Sequence, residues 1–541
     1  MRIDPIQIQP NQKIVKDYRH DFTAVEDKFD YPPFEKDTWI NRWNDLQERE
    51  FKREELARVL HRMNDQWQAP SSAFHSIERL KDSQSTVIIA GQQAGLLTGP
   101  LYTVHKVISI LQLAKQKEEE LNKPVIPVFW IAGEDHDFDE INHVMLKSEK
   151  RMKKHAIHQE PEHKSSVSDL EIDKDQGMAW LNEIFSTVKE TEITQSFYER
   201  TLKALQESAS YTDFFAKLIY MLFPEEGLVL VDAHRPELRQ LESGYFQSML
   251  DHNREISQGV YAAIQKNKQQ GYSVSLDSDI TDAHLFYHDG GDRILLTRTD
   301  DHHYQGKNNE VFFTEEQIKE IAENSPEKLS NNVVTRPLMQ ESVFPVLGFI
   351  GGPGEVSYWS VLKPAFQAFG FRMPPVLPRL SFTLIDRKSE QTMSRLQMEP
   401  QRSVQSGTRE MKMNWLASVS SPPIEKLSEE VKAEIDKIHK PLRAKAAELG
   451  ADLGALAETN LHHLYKDVQF LEQRMTRRLE EKYKKEIACF NELDLLMHPE
   501  EGLQERVWSI LPWVNEYGMD VFAKMNHHHL SFEHPHYLVF I

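Results

Sequence analysis

The chain has a single cysteine, Cys489, among its 541 residues. That excludes an intramolecular disulfide and any zinc site built on several cysteines. Cys489 itself is expected to be a small buried residue on a helix. Long hydrophobic runs are also missing. The most apolar stretch, residues 124–133 (PVIPVFWIAG), is interrupted by prolines and falls well short of the ~18–20 apolar residues that span a bilayer. The first residues, MRIDPIQIQPNQK, have no signal-type apolar core, so a cytoplasmic protein with no membrane partner is expected. Positive charge is in deficit: 64 Lys and Arg stand against 84 Asp and Glu, a formal net charge of -20. Outside residues 474–485 no basic block is concentrated enough to overcome that, which argues against a nucleic-acid partner.

What is present has the balance of a folded protein of two or three units, with 40% hydrophobic and 27% charged residues. Residues 34–80 carry apolar side chains at helical spacing. Residues 85–91 (STVIIAG) form a β-branched run ending in glycine, followed by a Gly-rich loop and a helix over 101–120 that opens behind Pro100. Residues 124–133 are a second buried strand. Strand, turn, helix, strand is a βαβ unit, so the fold class is α/β with a parallel sheet. Residues 227–233 make a third strand, 285–298 a hairpin around Asp289-Gly290-Gly291-Asp292, and 343–359 again run from strand through glycines into helix. A helical piece is expected over 197–222. Inserted segments are expected at about 145–225 and 250–330 of a core spanning 1–385.

From 386 to 490 glycine thins out and charge rises. Ile424, Leu427, Val431, Ile435, Ile438 and Leu442, then Leu461, Leu464, Val468, Leu471, Met475 and Leu479, recur every three or four residues. This predicts an all-α antiparallel coiled-coil hairpin that breaks near residues 448–456 and pairs the chain as a homodimer. Residues 491–541 are expected to return to the core, with the terminal HYLVFI docking as a strand on the main sheet. His527–His529 are expected to form a solvated turn.

Ligands of open α/β sheets bind beyond the carboxyl ends of the strands, and three loops there are chemically unusual. The first runs from Gly91 to Pro100. Its Gln92, Gln93, Gly95, Thr98 and Gly99, with Tyr102, His105 and Lys106 on the helix behind, suit an anionic ligand. It matches neither phosphate-loop nor dinucleotide fingerprints. The second holds Glu134, Asp135, His136, Asp137, Asp139 and Glu140. So many carboxylates need an offsetting cation, an amine substrate or basic side chains. On a helix, His136, Glu140 and His143 would share one face, a metal-binding alternative. The third runs from Gly351 and Gly352 to Glu355 and Tyr358, with Arg336 and Gln340 upstream. A weaker fourth element, residues 498–506, carries Gly502 and Arg506.

Taken together, AGQQAGLLTGPLYTVHK, PVFWIAGEDHDFDEINHV, RPLMQESVFPVLGFIGGPGEVSYW, MPPVLPRLS and HPEEGLQER resemble, in order and over nearly the whole chain, the bacillithiol-biosynthesis enzymes that add cysteine. The resemblance implies a Rossmann-like core with inserted connecting segments, a coiled-coil domain used for dimerisation, and the joining of L-cysteine to glucosaminyl-malate by an amide bond. Amide formation from a free carboxylate is uphill in water, so an activating cosubstrate is expected, with ATP or ADP and Mg as the candidate; no tightly bound metal is expected. On this reading His136 is the general base, Glu134 and Asp135 hold ammonium groups, and the first loop, with His105, Lys106 and Arg336, holds phosphate or carboxylate. Two rivals stay open: a metal-dependent hydrolase on His136, Glu140 and His143, and a non-catalytic coiled-coil scaffold with a degenerate nucleotide fold.

Overall fold

The computed structural model describes residues 1–541 apart from Asn11, Glu162, Lys164 and 300–302. The chain divides into two units: 1–146, 153–383 and 505–539 form the first, and 147–152, 384–504 and 540–541 the second.

The first unit is built on a five-stranded, all-parallel sheet. Its strands are, in spatial order, Val376–Pro378, Val346–Gly351, Thr86–Gln92, Val125–Ile131 and Val229–Asp232. In chain order this is 5-4-1-2-3, the doubly wound arrangement in which the direction of winding reverses beside the first strand. The β-branched content of these runs fits strands covered on both faces. Every residue of Val125–Ile131 is buried, as are those of Val229–Asp232. Because all five strands run the same way, the loops after Gln92, Ile131, Asp232, Gly351 and Pro378 leave at one edge.

A second, antiparallel sheet of five strands contains the expected hairpin, Asp282–Asp289 with Asp292–Arg298, flanked by Leu329–Asn331 and Tyr304–Gly306. Helices are shorter than the periodicity suggests. Residues 34–80 form Thr38–Gln47, Arg53–Gln66 and Ser71–Arg79. The piece over 197–222 divides into Thr194–Gln206 and Tyr211–Leu222, because Ser210 and Asp213 make a capping box that starts a new helix. The terminal strand His536–Phe540 does not join the parallel sheet. It lies in a separate three-stranded sheet between Arg2–Ile6 and Phe382–Ile385, with the Tyr537 N–H donating to the Ser381 carbonyl at 2.9 Å. His527–His529 are exposed, as expected.

The second unit is helical. Ile424–Leu449 and Ala451–Lys482 form the antiparallel hairpin, which breaks at Gly450. The apolar spacing, however, marks the hairpin seam only in part. The seam holds Leu461 and Ile435 together with Ser428, which donates to Glu472, and His439, which meets Asn460 at 3.0 Å. Ile438 and Leu442 face outward, 75% and 62% exposed. Cys489, on Lys484–Met497, is half-buried rather than sealed, and its Sγ accepts from Arg395 at 3.2 Å.

Candidate active site

Each parallel strand ends in a polar or charged group at the common edge. Gln92 closes the first strand and accepts a hydrogen bond from the Lys106 ammonium at 3.0 Å; the same ammonium donates to the Gly91 carbonyl at 2.7 Å and pairs with Glu355 at 2.6 Å. Burial pushes Lys106 down from the ordinary lysine range, with Glu355 opposing. After the second strand the chain turns at Gly133, where a side chain cannot fit: a Cβ would come 2.0 Å from Ser168 Oγ and 2.2 Å from Asp232 Oδ1. Glu134, Asp135 and His136 follow directly. After the fourth strand come Gly352 and Glu355, whose carboxylate caps the Gly352 N–H at 2.7 Å. After the fifth comes Arg379, gripped by both oxygens of Glu505.

Two adjoining cavities open at this edge. One, of about 520 Å³, is lined by Asp135, His136, Asp137 and Glu140 of the second loop, by Asp277, Asp279 and Asp282, by Phe286 and Arg293 of the antiparallel sheet, and by Lys307 in the turn after Tyr304–Gly306. Its wall carries six carboxylates against Arg293, Lys307 and Arg336. The other, of about 360 Å³, lies at the reversal of strand winding and has the opposite bias: Lys106, Arg336, Arg379 and Arg506 against Asp135 and Glu355, with Gln92, Tyr102 and Tyr358 between them. Gln93, Asp135, Val333 and Arg336 line both. The stretches 91–106, 133–143 and 336–358 therefore converge on one place.

Arg336 reaches Asp135 Oδ1 and Glu134 Oε1, each at 3.6 Å. Arg293 lies flat on Phe286, its guanidinium carbon 3.9 Å from the ring centre. It donates to Asp135 at 3.1 Å and stands 3.4 Å from His136 Nδ1. Burial pushes Arg293 down, against the pull of Asp135 and Glu134. His105 lines neither cavity. It is fully buried, with Nδ1 2.7 Å from Glu505, and burial holds it below the usual histidine range. It thus supports the clamp on Arg379 rather than meeting a ligand.

Other expected residues line neither cavity. Thr98 and Gln340 are buried; Gly95, Gly99 (φ 72°) and Gly351 shape the turns; Gly502 belongs to the second unit. Glu134 lies beneath the cavities, fully buried and held by Arg239, so it has no open face for a substrate ammonium. His136, Glu140 and His143 do not share a helix: the helix Phe138–Ile141 is a single turn, His136 precedes it, and His143 begins the strand His143–Ser148. Val144 and Leu146 are buried on that strand, so a period of two takes over from the helical period and removes the face on which the metal reading rests. Arg293, Phe286 and Lys307 had no local sequence signal, and Arg379 and Glu505 stood in the segments MPPVLPRLS and HPEEGLQER without being marked as site residues.

The comparisons with known proteins agree with this architecture. Residues 1–380 match the family model described as the N-terminal Rossmann-like domain of bacillithiol biosynthesis BshC, and residues 382–541 match that of its C-terminal coiled-coil domain. A protein of Oceanobacillus iheyensis named "Putative cysteine ligase BshC" is 40% identical over 543 residues, covering 100% of both chains. One of the same name from Bacillus cereus strain AH187 is 39% identical over 539 residues, again with 100% of each covered. A crystal structure described as a "putative arginyl t-RNA synthetase" from Campylobacter jejuni aligns at 10% identity over 76% of this chain and 90% of that one, with a TM-score of 0.22, too low to bear on fold or activity. With both family models matched in order and relatives aligned from end to end, the chain belongs to the bacillithiol-biosynthesis BshC family.

Proposed function

We propose that this protein is the ligase that joins L-cysteine to glucosaminyl-malate through an amide. The observation that carries this reading is the pair of adjoining cavities with opposite charge bias and a shared wall. Glucosaminyl-malate has two carboxylates and an amine, and cysteine has an ammonium beside the carboxylate that must react. The dicarboxylate suits Arg336, Arg379 and Arg506; the amine groups suit the side of Asp135, Asp137 and Glu140. The reacting atoms then meet at the wall of Gln93, Asp135 and Arg336. His136, beside that wall, takes the proton of the attacking amine, which is nucleophilic only when neutral. Asp135 supplies the orienting carboxylate that Glu134 cannot.

Making an amide from a free carboxylate is uphill in water, so activation is required. We propose ATP with magnesium as its source: the cysteine carboxylate attacks a phosphorus of ATP and expels pyrophosphate or ADP, and the amine then displaces AMP or phosphate, which carries off one carboxylate oxygen. The basic wall of the smaller cavity, with Arg336, Arg379 and Arg506, has the donor chemistry that phosphate requires, as it does for carboxylate. We also place the protein in the cytoplasm; among the described residues no helix is long and apolar enough to cross a membrane. We assign dimerisation to the hairpin, whose outward stripe of Leu427, Ile438, Leu442, Leu449 and Leu456 has no partner within the hairpin seam.

The test is to incubate the purified protein with cysteine, glucosaminyl-malate and magnesium ATP and to follow the amide product by mass. Product is expected from the wild type, with a fall of ~10²–10⁴-fold in His136→Ala at an unchanged melting temperature. Wild-type turnover in His136→Ala removes His136 from the mechanism, and no product with any nucleoside triphosphate overturns the ligase reading.

A further inference from the structure

Three fully buried side chains lie under the two cavities and line neither. Arg239, on the helix Pro236–Asp251 that follows the third parallel strand, donates to Glu134 and, at 2.7 Å, to Glu242 Oε2; all three are 0% exposed. One guanidinium between two carboxylates leaves a surplus of buried negative charge, costly unless a second cation shares it or one acid gives up its charge. Burial pushes Glu242 up to about 7, which lowers its share of that charge near neutral pH while Arg239 holds both acids. The second cation is Arg336, whose Nε stands 3.6 Å from Glu134 Oε1.

That 3.6 Å separation is an ion-pair distance, beyond a hydrogen bond. Among the described residues neither Arg336 Nε nor Glu134 Oε1 has a hydrogen-bond partner. Arg336 thus lines both cavities with no hydrogen bond to the Glu134 carboxylate below it. A carboxylate with no other cation would close the gap, take two guanidinium donors and turn Arg336 down into the protein. Glu134 does not, because Arg239 already holds its other oxygen.

We propose that Arg239 is a positioning residue for the reaction: by holding Glu134 from beneath, it keeps that carboxylate from capturing Arg336 and so keeps the Arg336 guanidinium presented to the carboxylate or phosphate of the bound substrate. This rests on the ligase reading above, and acts through Glu134 rather than by contact with substrate.

The experiment measures glucosaminyl-malate affinity by calorimetry, and KM and kcat, on the full chain. Arg239→Met should weaken binding about tenfold and raise KM to match, with kcat changed far less. Adding Glu134→Gln to that variant removes the capturing carboxylate and should bring affinity back to within about threefold of wild type; a role in stability alone would leave the double variant as impaired as the single. Glu134→Gln on its own, informative even if Arg239→Met fails to fold, should also bind within about threefold, whereas a tenfold loss would put Glu134 on the substrate and overturn the proposal. Undiminished binding by folded Arg239→Met overturns it too. A wild type that does not bind glucosaminyl-malate at all sinks the ligase reading itself and this inference with it.

Discussion

The two units of the molecule place their apolar side chains in opposite ways. The sheet unit spends them inward. Phe129 and Trp130 on the second strand are 0% exposed, and charge is gathered at one edge, where the strand ends meet two cavities. The helical hairpin puts polar side chains into its own seam, Ser428 bonded to Glu472 and the buried His439 3.0 Å from Asn460, and turns Ile438, Leu442, Leu449 and Leu456 outward. An apolar repeat therefore announces that a partner exists without saying whether it lies in the same chain. For the sheet it does; for the hairpin we propose a second copy.

The contrast can be sharpened by substitution. The largest effect is expected inside the sheet, where Phe129→Ala should cost ~3–5 kcal/mol of unfolding free energy in urea. Ile438→Ala should stay within ~0.5 kcal/mol at concentrations where the chain is monomeric, and equal losses at the two sites would erase the distinction. Next comes a titration peculiar to the sheet unit. His536 is buried between Ser381 Oγ and Thr383 Oγ1, each 2.8 Å from a ring nitrogen, and burial pushes it down to about 4. An unfolded histidine protonates near ~6.5, so between those values the unfolded state binds the extra proton. The stabilisation from neutral His536 is complete above that unfolded value and is lost as pH falls toward 4, by up to ~3 kcal/mol. Urea midpoints of His536→Gln should fall less steeply across that window than those of the wild type; parallel curves would contradict the assignment. Smaller still, Ile438→Asp with Leu442→Asp should weaken self-association about a hundredfold, seen as a monomeric mass in light scattering while the melting of the sheet unit is kept. A dimer that survives both charges would move the interface elsewhere.

Much of this was legible in the chain. The strands at 85–91 and 124–133, the strand that opens the run 343–359, and the glycine-rich loops after them are local patterns, and a parallel sheet necessarily brings their ends to one edge. The break of the hairpin at Gly450 was legible for the same reason. What escaped depends on pairing over distance. Arg293 and Phe286 reach the larger cavity from an antiparallel sheet, and Arg379 is clamped by Glu505, which lies 126 positions away; a lone arginine carries no mark of either. Glu134 was misjudged because residue type gives charge but not depth. The His136, Glu140 and His143 spacing failed because a strand beginning at His143 overrides the helical period. The terminal strand found a small sheet of its own because the parallel one is not the only set of edges the fold offers.

The central claim is that both cavities form one reaction site, the smaller taking the acidic end of glucosaminyl-malate and the larger its amine. The most direct measurement is a structure of the protein crystallised with that substrate. The malate carboxylates are expected on Arg336, Arg379 or Arg506, and the amine within hydrogen-bond reach of Asp135 or His136. Substrate bound elsewhere, or lying the other way round across the shared wall, would contradict it.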